Sequence, residues 1–186
     1  MGRVKALLPW PATQQPFVLH VTETLRDAAT EPVAVVTGAH HDTLAPVLDA
    51  AGVAALFNPH HEQGQLSSLV HGLDWAFAHT SGMWAMVTLV DVPGVTVGTV
   101  RALLGAAPDP TIRAVRPVVA GRHGHPVLWH RHTLPLLHAA DAARGGGRAV
   151  MHALVAAGQV LDVPVADTGV LLDVDTPEEY QQLSVG

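Results

Sequence analysis

Asp91 follows the apolar run Val87-Thr88-Leu89-Val90 and precedes Val92-Pro93, so a carboxylate stands where a strand must stop. A carboxylate held there can bind a magnesium ion that also grips phosphate oxygens, because Mg²⁺ takes one or two carboxylates and fills its shell with water and substrate. The same position also suits a turn or helix-capping aspartate. Near the start of the chain, Gly2 and Lys5 put an ammonium beside flexible backbone, followed by Leu7-Leu8-Pro9, an arrangement that suits a triphosphate or an ordinary surface turn. Gly64 with Ser67 and Ser68 places two hydroxyls at a helix start, where free amides attract anions or the hydroxyls cap the helix. Gly121 to Val127 sets Arg122, His123 and His125 in a glycine-flanked turn, and Gly147-Arg148 puts a cation before a helix. Asp173-Val174-Asp175-Thr176-Pro177-Glu178-Glu179 ends an apolar run in two acids and opens a helix with Thr as cap and Pro at its first position.

The elements that must position these groups follow from periodicity. Near-continuous apolar runs at Val33–Thr37, Met86–Val90 and Val170–Val174 read as parallel strands covered on both faces. Helical patterns cover Phe17–Ala29, Thr43–Ala51, Ser67–His79, Val97–Leu104 and Ala149–Ala157, with Gly145-Gly146-Gly147 as a loop before the last. Arg116–Ala120 and Pro126–Trp129 look like an inserted hairpin, and Gln159–Val165 like a further strand before a turn at Asp167-Thr168-Gly169. This alternation predicts a single-domain, three-layer α/β fold with a Rossmann-like, mostly parallel sheet. In such sheets ligands gather at the carboxyl ends of the strands.

Composition narrows the function. The 186 residues are 48% hydrophobic and carry a net charge of −6, so a sizeable core is available and the basic surface of a nucleic-acid binder is not. With no cysteine, disulfides and thiolate chemistry are excluded. No apolar run reaches the roughly 18 residues that span a bilayer, and the expectation is a cytoplasmic protein without membrane partners. The 13 histidines include the pairs His40-His41 and His60-His61 but no helical pair with an acidic partner, so they read as solvated loop residues. Trp10 and Trp84 read as packing residues beside the strands.

Taken in order, the segments Met1–Pro9, Asn58-Pro59, Gly64–Leu69, Asp91–Pro93, Gly124–Val127 and Asp173–Glu178 resemble the MobA-like NTP transferase superfamily, and within it the molybdenum cofactor cytidylyltransferase branch. The resemblance covers nearly the whole chain. It implies a nucleotide-diphosphosugar-transferase scaffold and transfer of a nucleotidyl group from an NTP, with CTP favoured, to a phosphorylated acceptor such as molybdopterin cofactor, with loss of pyrophosphate. It further implies Mg²⁺ as cofactor, Lys5 as phosphate neutraliser, Gly2, Gly64, Ser67 and Ser68 at the nucleotide, Asp91 and Asp175 at the metal with Asp173 close behind, and Gly124, His125 and Arg148 on the acceptor side. Handover of product to a molybdoenzyme or its chaperone belongs to the same expectation. Guanylyl transfer, another acceptor, or a non-catalytic nucleotide-binding remnant are the alternatives.

The chain departs from that pattern in two places. The family's L-A-A-G-x-S-x-R segment and its central strand are not found ahead of Met1-Gly2, so the expected domain lacks its first strand and glycine-rich loop. Where the family often has G-D-x-G-A-R, this chain has Ala143-Arg144-Gly145-Gly146-Gly147-Arg148, with arginine in place of aspartate.

Overall fold

Residues such as Ala114 and Val115 form a strand because their side chains point alternately into two helical layers, each removing one face from water. The computed structural model describes residues 4–106 and 109–183, and Gly2 lies outside them. Along the described chain run β1 (Ala34–Thr37), β2 (Ala54–Phe57), β3 (Trp84–Val87), β4 (Ala114–Val119), β5 (Arg122–His123), β6 (Val127–His130) and β7 (Val160–Pro164). The helices are α1 (Phe17–Asp27), α2 (His41–Ala50), α3 (Gln65–His79), α4 (Val97–Gly105), α5 (Leu134–His138), α6 (Gly146–Ala156) and α7 (Pro177–Leu183).

Strands β1 and β2 pair in parallel, with Thr37 opposite Phe57. The larger sheet has β6 between β3 and β4, antiparallel to both, and β7 parallel to β4. Thus β3, β4 and β7 share one direction, and the mostly parallel expectation holds with β5 and β6 as the reversed strands. Ala114, Val127 and Trp129 face α3, α5 and α6, where Leu73, Leu137 and Leu154 close the layer. Val115 and Leu128 face the other way, onto Leu103 of α4. Side chains as fully buried as Leu73 and Leu103 each contribute about 2 kcal/mol. Alternation of neighbouring residues between these two cores makes the three layers.

Helix α3 lies over both sheets. Gly72 meets Val36 of β1, where an added Cβ would stand 3.0 Å from the valine side chain, while Leu73 and Phe77 belong to the core that covers Ala85 and Val87 of β3. Among the described residues β1 pairs only with β2, and β3 pairs only with β6. Each therefore leaves one edge unbonded beneath the same helix.

Several expected elements move. β3 begins at Trp84 and ends at Val87, so Thr88-Leu89-Val90 is the connection to Asp91 rather than strand. The Pro126–Trp129 segment gives β6 (Val127–His130), which pairs antiparallel with β4 as a hairpin arm does and also pairs with β3, so the hairpin is part of the main sheet rather than an insertion. Val170–Val174 is not a strand: Thr168–Leu171 forms a 3-10 turn, and the Val170 carbonyl accepts from the His125 N–H at 3.1 Å. Gly146, at φ 51°, and Gly147 open α6 instead of forming a loop, and pack against Leu66 and Leu69 of α3.

Candidate active site

Asp91, Asp173 and Asp175 converge, each offering a carboxylate oxygen within 4.8 Å of the other two. The Lys5 ammonium lies 2.5 Å from Asp175 Oδ1 and 3.5 Å from Asp91 Oδ2. Burial disfavours that ammonium, but Asp175 and Asp91 outweigh it and raise the Lys5 pKa above the ordinary value. Asp173 is pushed up, first by burial and then by the like charges of Asp91 and Asp175, whereas the hydrogen bond from Lys5 holds Asp175 below the usual range. Three crowded oxygens of one sign call for a cation. Two oxygens on one Mg²⁺ at 2.0–2.1 Å stand about 2.9 Å apart when adjacent and about 4.2 Å when opposite, so a small contraction fits this donor set to a divalent ion.

Backbone contacts between three distant segments hold the carboxylates in place. The Val174 N–H donates to the Asp91 carbonyl at 2.9 Å, tying the two acidic segments together. A Cβ on Gly169 would stand 1.9 Å from the Gly94 carbonyl oxygen, and one on Gly124 would stand 2.0 Å from that of Val170. Glycine is therefore required at both crossings for the loop after Asp91, the Gly124-His125 turn and the 167–171 turn to stack. On the far side, Glu179 accepts from the N–H groups of Asp175 and Thr176, and Thr176 Oγ1 accepts from the Glu179 N–H, a capping box that starts α7 beside the acids. Asp167 binds the 167–171 turn to α4: its carboxylate accepts from Thr99 Oγ1 at 2.6 Å, from both the N–H and Oγ1 of Thr96 at 2.9 Å, and from the Gly169 N–H.

His125 is brought to this end as well. Its pKa is lowered by burial, against a hydrogen bond to the Val87 backbone and the attraction of Asp91, and its Nδ1 is buried without a partner. A buried ring nitrogen without a partner is unmet hydrogen-bonding capacity at this end of the sheet.

A second polar group lies where the N-termini of α3 and α6 meet. Gly64, at φ 90°, precedes α3, and Ser67 Oγ donates toward the carbonyls of His60 and Gly64 at 2.8 and 2.9 Å. Asn58, only 2% exposed, donates through Nδ2 to Ser67 Oγ at 3.0 Å and Ser68 Oγ at 3.1 Å, while its Oδ1 accepts from the His60 N–H. Gly146 and Gly147 abut Leu66 and Leu69, which brings exposed Arg148 to this end of the helices. Among the described residues no hydrogen bond or ion pair joins this group to the carboxylates.

With that geometry in view, the likenesses to known proteins are informative. The pattern of the MobA-like NTP transferase domain matches residues 1–159. The chain belongs to this family. Its catalytic class is accordingly nucleotidyl transfer, and the matched region contains Lys5, Asp91 and His125 while stopping short of Asp173 and Asp175. Among solved structures, Rv0371c from Mycobacterium tuberculosis H37Rv is 24% identical with a TM-score of 0.77, over 100% of this chain and 91% of that one. A complex of Rv0371c with manganese aligns at 22% identity and TM-score 0.71, over 100% and 94%. A nucleotidyl transferase from Methanothermobacter is 17% identical with a TM-score of 0.80, covering 97% of this chain and 83% of its own. Molybdopterin-guanine dinucleotide biosynthesis protein A from Archaeoglobus fulgidus is 14% identical with a TM-score of 0.58, over 98% and 90%. No curated protein matches the chain.

In this MobA-like domain the structure thus assembles Lys5, Asp91, Asp175 and His125 at one end, with Asp173 as a full member of the acidic set. Gly124 serves as the crossing point under Val170. Sequence reasoning missed Asp167, whose threonine partners lie 68 and 71 residues earlier in the chain, and the buried role of Asn58. The Asp167-Thr168-Gly169 turn signal was visible; its partners were not. No helix among the described residues is long and apolar enough to cross a membrane.

Proposed function

We propose that this domain catalyses Mg²⁺-dependent transfer of a cytidylyl group from CTP to a phosphorylated acceptor of the molybdopterin cofactor type. An acceptor phosphate oxygen attacks the α-phosphorus, the bond to the bridging oxygen breaks, and pyrophosphate leaves. Asp91 and Asp175, with Asp173 beside them, would hold the divalent ion, which supplies charge neutralisation to the phosphates when bound. Lys5 neutralises further triphosphate charge, as in-line displacement at phosphorus depends more on charge and positioning than on a protein nucleophile. We assign Gly124 and His125, at the carboxylate end, and Arg148, near the start of α6, to the acceptor. Gly64, Ser67 and Ser68 bind the nucleotide through the amide-rich start of α3, since the Ser67 hydroxyl is already committed to backbone carbonyls. Gly2, three residues before Lys5 in the chain, is assigned to the nucleotide with it.

The observation that carries this reading is the convergence of three carboxylates around a lysine at the end of β3. The manganese complex of Rv0371c supports a divalent ion. A pyrophosphate-release assay with each of four NTPs, with and without molybdopterin cofactor, tests it. We expect release with CTP and the cofactor, and a loss of about 100-fold or more in Asp91→Asn at unchanged fold; unchanged turnover in that variant refutes the assignment. The edges of β1 and β3 left unbonded under α3 among the described residues support a second reading, in which the chain as given binds nucleotide without turning it over. Calorimetric CTP binding without pyrophosphate release in any condition would select it.

A further inference from the structure

The Lys5 contacts carry a consequence for how the metal enters, which rests on the metal reading just given. We infer that Lys5 is an exchangeable counter-ion: its ammonium holds Asp91 and Asp175 in the nucleotide-free protein, and leaves them for the triphosphate as the divalent ion takes its place. The ammonium lies 2.5 Å from one carboxylate and 3.5 Å from the other, inside the space that an ion shared by those carboxylates must use. An ammonium and a divalent cation cannot both sit there, because like charges a few ångströms apart repel strongly in a partly desolvated site. Without any cation, three carboxylates within 4.8 Å of one another would repel and spread. Lys5 therefore keeps the site assembled while free.

The position of Lys5 in the chain permits the exchange. It starts a single 3-10 turn, Lys5–Leu7, whose Leu7 and Leu8 N–H groups bond back to Val4 and Lys5, so the backbone is anchored while the long side chain swings. Its side chain is 30% exposed, leaving an open direction for the ammonium to follow a triphosphate. Asp173 makes no ion pair among the described residues, and so offers the first oxygen to an arriving ion. Metal and nucleotide then bind with positive coupling, since each relieves the charge that opposes the other.

The test is Mn²⁺ binding to the full chain, followed by electron paramagnetic resonance, with and without a non-hydrolysable α,β-methylene analogue of CTP. Nucleotide-free Lys5→Met should bind Mn²⁺ about tenfold more tightly than wild type, Lys5→Gln should do the same, and Lys5→Arg should stay weak. The analogue should strengthen Mn²⁺ binding in wild type and much less in Lys5→Met. Equal or weaker binding in both neutral variants overturns the counter-ion role; if Asp91→Asn then still abolishes binding, the metal centre survives that failure. Absence of Mn²⁺ binding by every form, with or without the analogue, removes the metal reading and the inference together.

Discussion

The carboxylate end and the Asn58-Ser67-Ser68 group are both polar constellations at the ends of strands, yet they are built by opposite means. At the carboxylate end, residues 91–95, 124–126 and 167–175 meet through bare backbone, with glycines at the crossings and like charges left close together. At the start of α3, residues within ten positions of one another satisfy nearly every polar atom they bring. The first arrangement stores unbalanced charge that a ligand can relieve; the second is already balanced and so serves to hold a helix start in place. Unpaired polar capacity, rather than polarity itself, distinguishes the candidate metal centre from the start of α3.

The contrast breaks most sharply at the glycine crossings. Gly169→Ala puts a methyl group 1.9 Å from the Gly94 carbonyl oxygen, and neither backbone can give without moving the loop that ends β3. We expect a loss of about 3 kcal/mol in urea unfolding together with loss of Mn²⁺ binding. A variant with wild-type stability and metal affinity would show that the crossing does not position the acids.

At the start of α3 the expected effect is smaller and of another kind. Asn58→Ala leaves the Ser67 and Ser68 hydroxyls and the His60 N–H short of a partner, at about 2 kcal/mol in total because Ser67 keeps its carbonyl contacts. Urea midpoints should fall while Mn²⁺ binding stays near wild type. Equal loss of metal affinity would show that the start of α3 also positions the acids.

Local patterns made much of this legible and long-range packing hid the rest. The apolar segment Ala34–Thr37 and the capping box at Thr176 and Glu179 announce themselves, since a few neighbouring residues decide each. β2 escaped notice because Ala54-Ala55-Leu56-Phe57 carries little β-branching and lies half exposed. Val170–Val174 misled for the reverse reason: it has a strand's composition, but Gly124 crosses over it and the His125 N–H takes the Val170 carbonyl, which bends it into a turn. Of the site, Asp91, Asp175 and Lys5 could be chosen from chemistry and family resemblance, whereas the 170-residue separation between Lys5 and Asp175 is closed only by the fold.

Asp167 offers the finest probe, because it supports the carboxylate end without being part of it. Burial works to raise its pKa, but hydrogen bonds from Thr99, Thr96 and Gly169 outweigh this and hold it below the ordinary value. A carboxyl group whose folded pKa is depressed stabilises fully above its unfolded pKa of about 3.9, and that contribution disappears as pH falls through the folded value. Asp167→Asn should therefore cost about 1 kcal/mol near neutral pH, because an amide keeps one acceptor oxygen but loses the charge that strengthened the four bonds. Thermal midpoints of the two proteins should converge as the pH is lowered below about 4. A gap that stays constant down to strongly acid pH would mean that the shape of the side chain, and not its charge, ties the turn to α4.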